Sequence, residues 1–356
     1  MTGARRATVA GMAAPGWAAA VAGARVHGGP DELGVPWWDF STNANACGPC
    51  PLAWARVQAA ARRHYPDPDY HTLRQRLADW HGVEPRRILL AASGSEWILR
   101  WSAWCARRGW RRIALPRPGY GEYAHAAAVW GLEPVDDGAQ AAWLCDPGSP
   151  WGQPEDESRA TALLQEGGAM AVALDRAYAP LRLEPAAQLP EPLCARCWQL
   201  WSPNKALGMT GVRAAYVVAP AQADPLALQE LEQLAPAWPL GADGVALLHA
   251  WTEPTTQRWL RASLPTLAQW KDHLVGSLRA LGWQVRDSVT PFVCARPPQP
   301  LAADRLRGHG IKLRDASSFG LPGWWRLSAQ PPQAVQALVQ ALRGLPAAEV
   351  AALGGP

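Results

Sequence analysis

The sequence predicts an α/β fold, and two observations carry that expectation. Four short apolar segments, Arg87–Ala92, Arg112–Pro116, Ala141–Cys145 and Ala169–Leu174, each end at turn or polar residues, as strands buried on both faces do. Helical patterns lie between them, as in Tyr70–His81 and Ser158–Gln165, where apolar residues recur at spacings of three and four. Such alternation builds a parallel sheet. The composition agrees: of 356 residues, 49% are hydrophobic and 18% charged, so the chain has ample material for a core, and 32 glycines with 34 prolines cut it into short elements.

Taken in order, residues 1–38 read as an N-terminal arm. The stretch Met1–Val26 carries Arg5-Arg6 followed by small apolar residues, like an export signal, but Gly11, Pro15, Gly16 and Gly23 interrupt it and it lacks leucine density. A cytoplasmic protein is therefore expected. Residues 39–235 hold the strand and helix alternation and are expected to form the large domain. After about Ala235 longer helical patterns appear, Asp243–Trp251 and Pro265–Leu281, followed by a strand-like Pro291–Ala295 and a terminal helix Pro332–Leu342. A second, smaller α+β domain is expected over residues 236–356.

Several functions are excluded at this level. A net charge of +4 without clustered Lys/Arg is no footprint for nucleic acid. No apolar run reaches the roughly 18 residues of a membrane span. Seven cysteines, an odd number in a long chain, do not make a secreted disulfide framework. Two pairs have metal-ligand or redox spacing, Cys47-Gly-Pro-Cys50 and Cys194-Ala-Arg-Cys197. A redox pair needs its first thiolate at a helix N-terminus after a strand, whereas Cys47 sits in a turn-rich string, and the two pairs lie too far apart for a zinc ribbon. No metal site is expected.

In open α/β sheets ligands bind beyond the carboxyl ends of the strands, so those ends hold the candidates. The first gives Ser93-Gly94-Ser95-Glu96 opening a helix, either a phosphate site or a plain N-cap. The second leads to Tyr120, placed to stack on a flat ring or to pack its loop. The third, Asp146–Gly152, reads as a turn close to the sheet edge. The fourth ends at Asp175, a carboxylate that either caps local backbone or holds a cation. Beyond it lies Ser202-Pro-Asn-Lys205, with Arg213 eight positions on. The chain has three lysines only, Lys205, Lys271 and Lys312, and the last two occupy ordinary surface settings.

Ser202-x-x-Lys205 with Arg213 after it, Asp175-x-Ala-Tyr178, the Ser93–Glu96 helix start and the Tyr120 loop follow the order found in pyridoxal-phosphate enzymes of the aspartate-aminotransferase fold. The resemblance covers nearly the whole chain. Within that superfamily the sequence is most similar to threonine-phosphate decarboxylases of cobalamin biosynthesis and, next, to histidinol-phosphate aminotransferases. The narrower likeness rests on His27-Gly-Gly29, Asp39–Asn45 leading to Gly48-Pro49, and Tyr65-Pro-Asp-Pro-Asp-Tyr70.

The resemblance implies a fold type I enzyme with a mostly parallel central sheet and pyridoxal 5'-phosphate as cofactor. Lys205 would carry the cofactor on its amine, Asp175 would pair with the ring nitrogen, Tyr178 with the ring hydroxyl, and Tyr120 would stack on the ring. Gly94, Ser95, Ser202 and Arg213 would hold the phosphate, joined by Tyr65 from the other subunit of a homodimer. His27, Asn43, Arg314 and Arg326 would meet the anionic groups of a phosphorylated amino-acid substrate. The implied reaction is decarboxylation of L-threonine O-3-phosphate, with transamination of histidinol phosphate as the alternative. Three positions depart from the family pattern: Ser149 replaces an asparagine that contacts the ring, Arg176 a glutamate, and Asn204 a serine or threonine.

Overall fold

The computed structural model describes residues 27–165, 168–184, 188–301 and 303–344. Its main sheet has seven strands. In chain order these are β2 (Ile88–Ala91), β3 (Arg112–Ala114), β4 (Glu133–Pro134), β5 (Ala141–Cys145), β6 (Ala171–Asp175), β7 (Trp198–Trp201) and β8 (Ala215–Val218). They are arranged β2-β8-β7-β6-β5-β3-β4. β8 runs against both neighbours, and the other pairings are parallel. Every residue of β2, β5, β6 and β8 is buried, which is why these segments read as unbroken apolar runs and not as alternating ones.

The helices that separate the strands are α1 (Pro51–Gln58), α2 (His71–His81), α3 (Gly94–Arg107), α4 (Gly121–Val129), α5 (Glu157–Leu164), α6 (Glu191–Cys194) and α7 (Pro225–Gln233). α3 shows why one face packs. Trp97, Trp101 and Trp104 recur at spacings of four and three and are at most 3% exposed. They meet Trp143 of β5 and Trp198 of β7 at ring separations of 5.1 to 6.5 Å. Part of the chain's large tryptophan count is thus the packing layer between α3 and the sheet.

Beyond the sheet come α8 (Ala242–Trp251) and α9 (Pro254–Ala280), then α10 (Ala303–Gly308) and α11 (Pro332–Gly344). A four-stranded antiparallel sheet, ordered β12-β13-β10-β9, is formed by β9 (Gln284–Val285), β10 (Phe292–Arg296), β12 (Arg314–Asp315) and β13 (Trp325–Ser328). β1 (Trp38–Asp39) pairs in parallel with β11 (Ile311–Lys312), so the N-terminal segment is tied to the C-terminal region. No helix of the described residues is long and apolar enough to cross a membrane.

Three expectations need correction. The helix expected from Pro265 begins at Pro254, and Pro265 lies inside it; either proline suits a first turn, and the buried stripe Leu260, Ser263, Leu267 carries the helix through the second. The Asp146 turn is not at a sheet edge, because β5 pairs with both β3 and β6. Asp146 is buried, accepting from Arg182 at 2.6 Å and from the Leu189 and Glu155 amides. Lys312 and Lys271 are not ordinary surface lysines: Lys312 pairs with Asp31 at 3.0 Å and Lys271 donates to the Ser288 carbonyl at 2.7 Å.

One titration is built into this packing. His81, the last residue of α2, bonds through Nε2 to the Tyr216 hydroxyl at 2.9 Å, and that oxygen also accepts from the Trp251 indole at 3.0 Å. Burial, assisted by the Arg176 guanidinium, pushes the imidazole down to about 4. A folded value below the unfolded one means that the unfolded state binds the proton first. Stability from this site is therefore complete above about pH 6.5 and is lost as pH falls toward 4, by up to about 3 kcal/mol. Denaturant unfolding at pH 7 and 4.5 is expected to show a smaller pH-dependent loss in His81→Gln than in the unaltered protein.

Candidate active site

The carboxyl ends of β2, β3, β5, β6 and β7 converge on a cavity of about 910 Å³. Ser93, Gly94 and Ser95 enter it after β2, Tyr120 after β3, Ser149 after β5, Asp175 and Tyr178 at and after β6, and Ser202, Asn204 and Lys205 after β7. Arg213 lies on its lining just before β8, and His27, Asn43, Arg314 and Arg326 close it from the other side. Of the expected site residues, only Tyr65 is absent from this cavity. It is 78% exposed and stacks on Trp238 at 4.4 Å.

Asp175 is a buried acid of the cavity. It is 7% exposed, and its oxygens accept from the Ala177 amide at 2.8 Å and the Tyr123 hydroxyl at 2.7 Å. Burial raises its carboxyl above the usual range, opposed by those two donors and by the Lys205 charge. The Lys205 ammonium is half-buried over the Tyr178 ring, 5.5 Å from its centroid. The Tyr178 hydroxyl accepts from Asn43 Nδ2 at 3.2 Å, and the Asn43 carbonyl oxygen is buried with no partner among the described residues. Burial raises the Tyr178 and Tyr120 phenols, so both are neutral donors near pH 7.

The start of α3 plays both roles that the sequence left open. Ser93 caps the helix by accepting from the Glu96 amide at 3.1 Å, and Glu96, paired with Arg100, reaches back to the Ala92 amide. Ser95 is left facing the cavity, with its hydroxyl 3.3 Å from that of Tyr120. The helix N-terminus and the Arg213 guanidinium line the same cavity, and both favour an anion.

The Cys47-Gly-Pro-Cys50 string is a backbone brace for the lysine loop. The Cys50 amide donates to the Leu207 carbonyl at 2.9 Å and the Asn45 amide to the Lys205 carbonyl at 2.9 Å. Gly208, at φ +68°, backs directly onto Gly48; a Cβ on Gly208 would lie 2.9 Å from the Gly48 Cα and from the Asn45 oxygen. Only glycine suits that contact and that backbone. Cys194 and Cys197 are buried, and burial pushes their thiols up to about 11 and about 12.

Arg314 and Arg326 are direct cross-strand neighbours on β12 and β13. Both are buried, and both lie over the Phe319 ring, at 4.6 and 5.3 Å. Burial, then the charge of Arg326, pushes Arg314 down to about 10. Arg326 donates to the Ser149 hydroxyl at 3.0 Å and the Ser41 carbonyl at 3.3 Å, and its Nε has no partner among the described residues. Two crowded guanidinium groups are relieved by anions delivered to the cavity.

Residues 170–342 match the family model for aminotransferase class I and II. That match, with the relatives and solved structures that follow, supports a place in the pyridoxal-phosphate-dependent aminotransferase superfamily. The chain is 26% identical over 340 residues to a histidinol-phosphate aminotransferase of Jannaschia sp. (strain CCS1), covering 87% of this chain and 91% of that protein. Its fold matches the L-threonine-O-3-phosphate decarboxylase from Porphyromonas gingivalis with a TM-score of 0.71, at 23% identity over 85% of this chain and 98% of the other. It also matches the histidinol-phosphate aminotransferase from Sinorhizobium meliloti in complex with pyridoxal-5'-phosphate, with a TM-score of 0.70, at 21% identity over 84% and 88%. The architecture is that of the fold type I transferases.

The cofactor of this aminotransferase superfamily is pyridoxal 5'-phosphate, and the donor set fits it. An aldehyde needs an amine, a pyridine nitrogen a buried carboxylate, and a phosphate a helix N-terminus with a cation; Lys205, Asp175 and the α3 start with Arg213 supply these in one cavity. Sequence reasoning missed Tyr123, whose hydroxyl bonds Asp175; the only signal was its place three residues beyond Tyr120. Replacing one of the paired arginines tests the anion-binding role. Arg326→Gln is expected to weaken an anionic substrate by about 1.5 to 3 kcal/mol, roughly ten- to a hundredfold in KM. Arg279→Gln, on the exposed face of α9, is expected to leave KM unchanged.

Proposed function

We propose that this enzyme decarboxylates L-threonine O-3-phosphate, giving carbon dioxide and (R)-1-amino-2-propanol O-2-phosphate, the reaction known from cobalamin biosynthesis. The observation that carries the reading is the pair Arg314 and Arg326 opening on the same cavity as Lys205. A substrate with both a carboxylate and a phosphate answers both guanidinium groups. The His27-Gly-Gly29 segment supports it, since all three residues line the cavity. Gly28 lies flush on Ser41, where a Cβ would come within 2.2 Å of the Ser41 oxygen.

When bound, pyridoxal phosphate withdraws the electron pair left when a bond to the substrate α-carbon breaks. The rest falls to this chain. Asp175 would hold a negative charge toward the ring nitrogen, and Tyr120 would cover the ring. Ser95, Ser202 and Arg213 would hold the cofactor phosphate. Arg314 and Arg326 orient the substrate's anionic groups, and the Phe292 and Phe319 rings beside them keep water away. The α-carbon to carboxylate bond breaks, carbon dioxide departs without the electron pair, and a proton held at Lys205 Nζ replaces it at the α-carbon. No oxidant is needed.

The second reading, transamination of histidinol phosphate, is supported by the names of the sequence relatives. It leaves one arginine for the phosphate and the other for the carboxylates of the keto-acid partner. In either case we read the enzyme as a homodimer, with the exposed Tyr65 directed to the partner's cofactor phosphate. Mass spectrometry after mixing cofactor-loaded protein with L-threonine O-3-phosphate is expected to show aminopropanol phosphate with no keto acid added. Untouched substrate, together with turnover of histidinol phosphate and 2-oxoglutarate, would favour the second reading.

A further inference from the structure

Tyr123 lies on the first turn of α4 and is 1% exposed. Its ring is stacked on Trp143 at 4.9 Å and 21°, and stands edge-on to Tyr120 at 5.8 Å and 90°. With the ring held on two sides, the hydroxyl has little freedom, and it donates to Asp175 Oδ2 at 2.7 Å. Asp175 Oδ1 is taken by the Ala177 amide. Both carboxylate oxygens are thereby anchored, one by backbone and one by a side chain on a different element. A single aromatic cluster joins the residue that covers the ring, Tyr120, to the residue that faces its nitrogen.

We propose that Tyr123 is a positioning residue that acts through Asp175, keeping that carboxylate ionised and aimed so that the cofactor's ring nitrogen stays protonated. The proposal rests on the reading of Asp175 as the partner of that nitrogen. The physics runs from burial. A carboxylate this deep is driven toward its neutral form, and a proton shared with a ring nitrogen then moves onto the carboxylate. A hydroxyl donor favours the ionised carboxylate and opposes that transfer. Burial holds the Tyr123 phenol well above its usual range, so it donates at every working pH. Cys145, which opposes Asp175 across β5 and β6, is likewise kept a neutral thiol and adds no charge.

Tyr123→Phe keeps the ring and its stacking and removes only the donor. The measurement is made on protein loaded with cofactor labelled with nitrogen-15 in the ring, together with the cofactor dissociation constant of each variant. The unaltered protein is expected to show a pyridinium-like ring-nitrogen shift. Tyr123→Phe is expected to move it toward the neutral pyridine value and to raise the dissociation constant about tenfold. Asp175→Asn is expected to move it fully, and adding Tyr123→Phe to Asp175→Asn is expected to change nothing further, because the tyrosine acts only through the carboxylate. If Tyr123→Phe keeps the pyridinium shift while Asp175→Asn loses it, the role of Tyr123 falls and that of Asp175 stands. If Asp175→Asn itself leaves the shift in place, the assignment of Asp175 falls, and the proposal with it.

Discussion

A carboxylate buried at the end of a central strand is the constraint around which this cavity is built. Asp175 closes β6, where both neighbouring strands are parallel and the segment is fully buried. Such a charge is costly unless its oxygens are satisfied. The Ala177 amide, the Tyr123 hydroxyl and the charge of Lys205 supply the compensation. Each comes from a different place in the fold: the turn after β6, the start of α4, and the loop after β7. The geometry of three strand ends is thus tied to one acidic group.

The remaining site depends on elements that carry no chemistry themselves. The tryptophan face of α3 presses that helix onto β5 and β7, which fixes where its N-terminus meets the cavity. The Gly48 and Gly208 backbones meet without side chains between them, and three residues before Gly208 stands Lys205. The buried Asp146 and Arg182 pair ties the turn after β5 to the segment after β6, next to Ser149. Ser149 in turn accepts from Arg326. The departure from asparagine at this position therefore leaves a hydroxyl that serves an arginine.

Much of this was legible in the sequence because strand ends carry their residues in local order. The segments ending near Ala91, Cys145 and Asp175 fall within a residue or two of the observed strands, and Ser95, Asp175 and Tyr178 follow from them, whereas Lys205 stood out as one of three lysines, after a strand, Trp198–Trp201, that the pattern did not reveal. The mostly parallel sheet is as expected, and the cavity gathers all the expected residues except Tyr65. What was not legible depends on pairs distant in sequence. Nothing near Tyr123 announces Asp175, 52 positions away, and nothing near Asp146 announces Arg182. Lys312 looked like a surface residue because its partner, Asp31, lies at the other end of the chain. The Cys-Gly-Pro-Cys string resembled a redox motif because spacing alone does not say that its backbone holds another loop.

The central claim is that Lys205 is the amine that carries the cofactor. Reduction of the loaded protein with borohydride, followed by peptide mass spectrometry, tests it most directly. The account predicts a pyridoxyl-phosphate adduct on the peptide containing Lys205, absent from Lys205→Ala. An adduct on Lys271 or Lys312, or an undiminished adduct in Lys205→Ala, would contradict it.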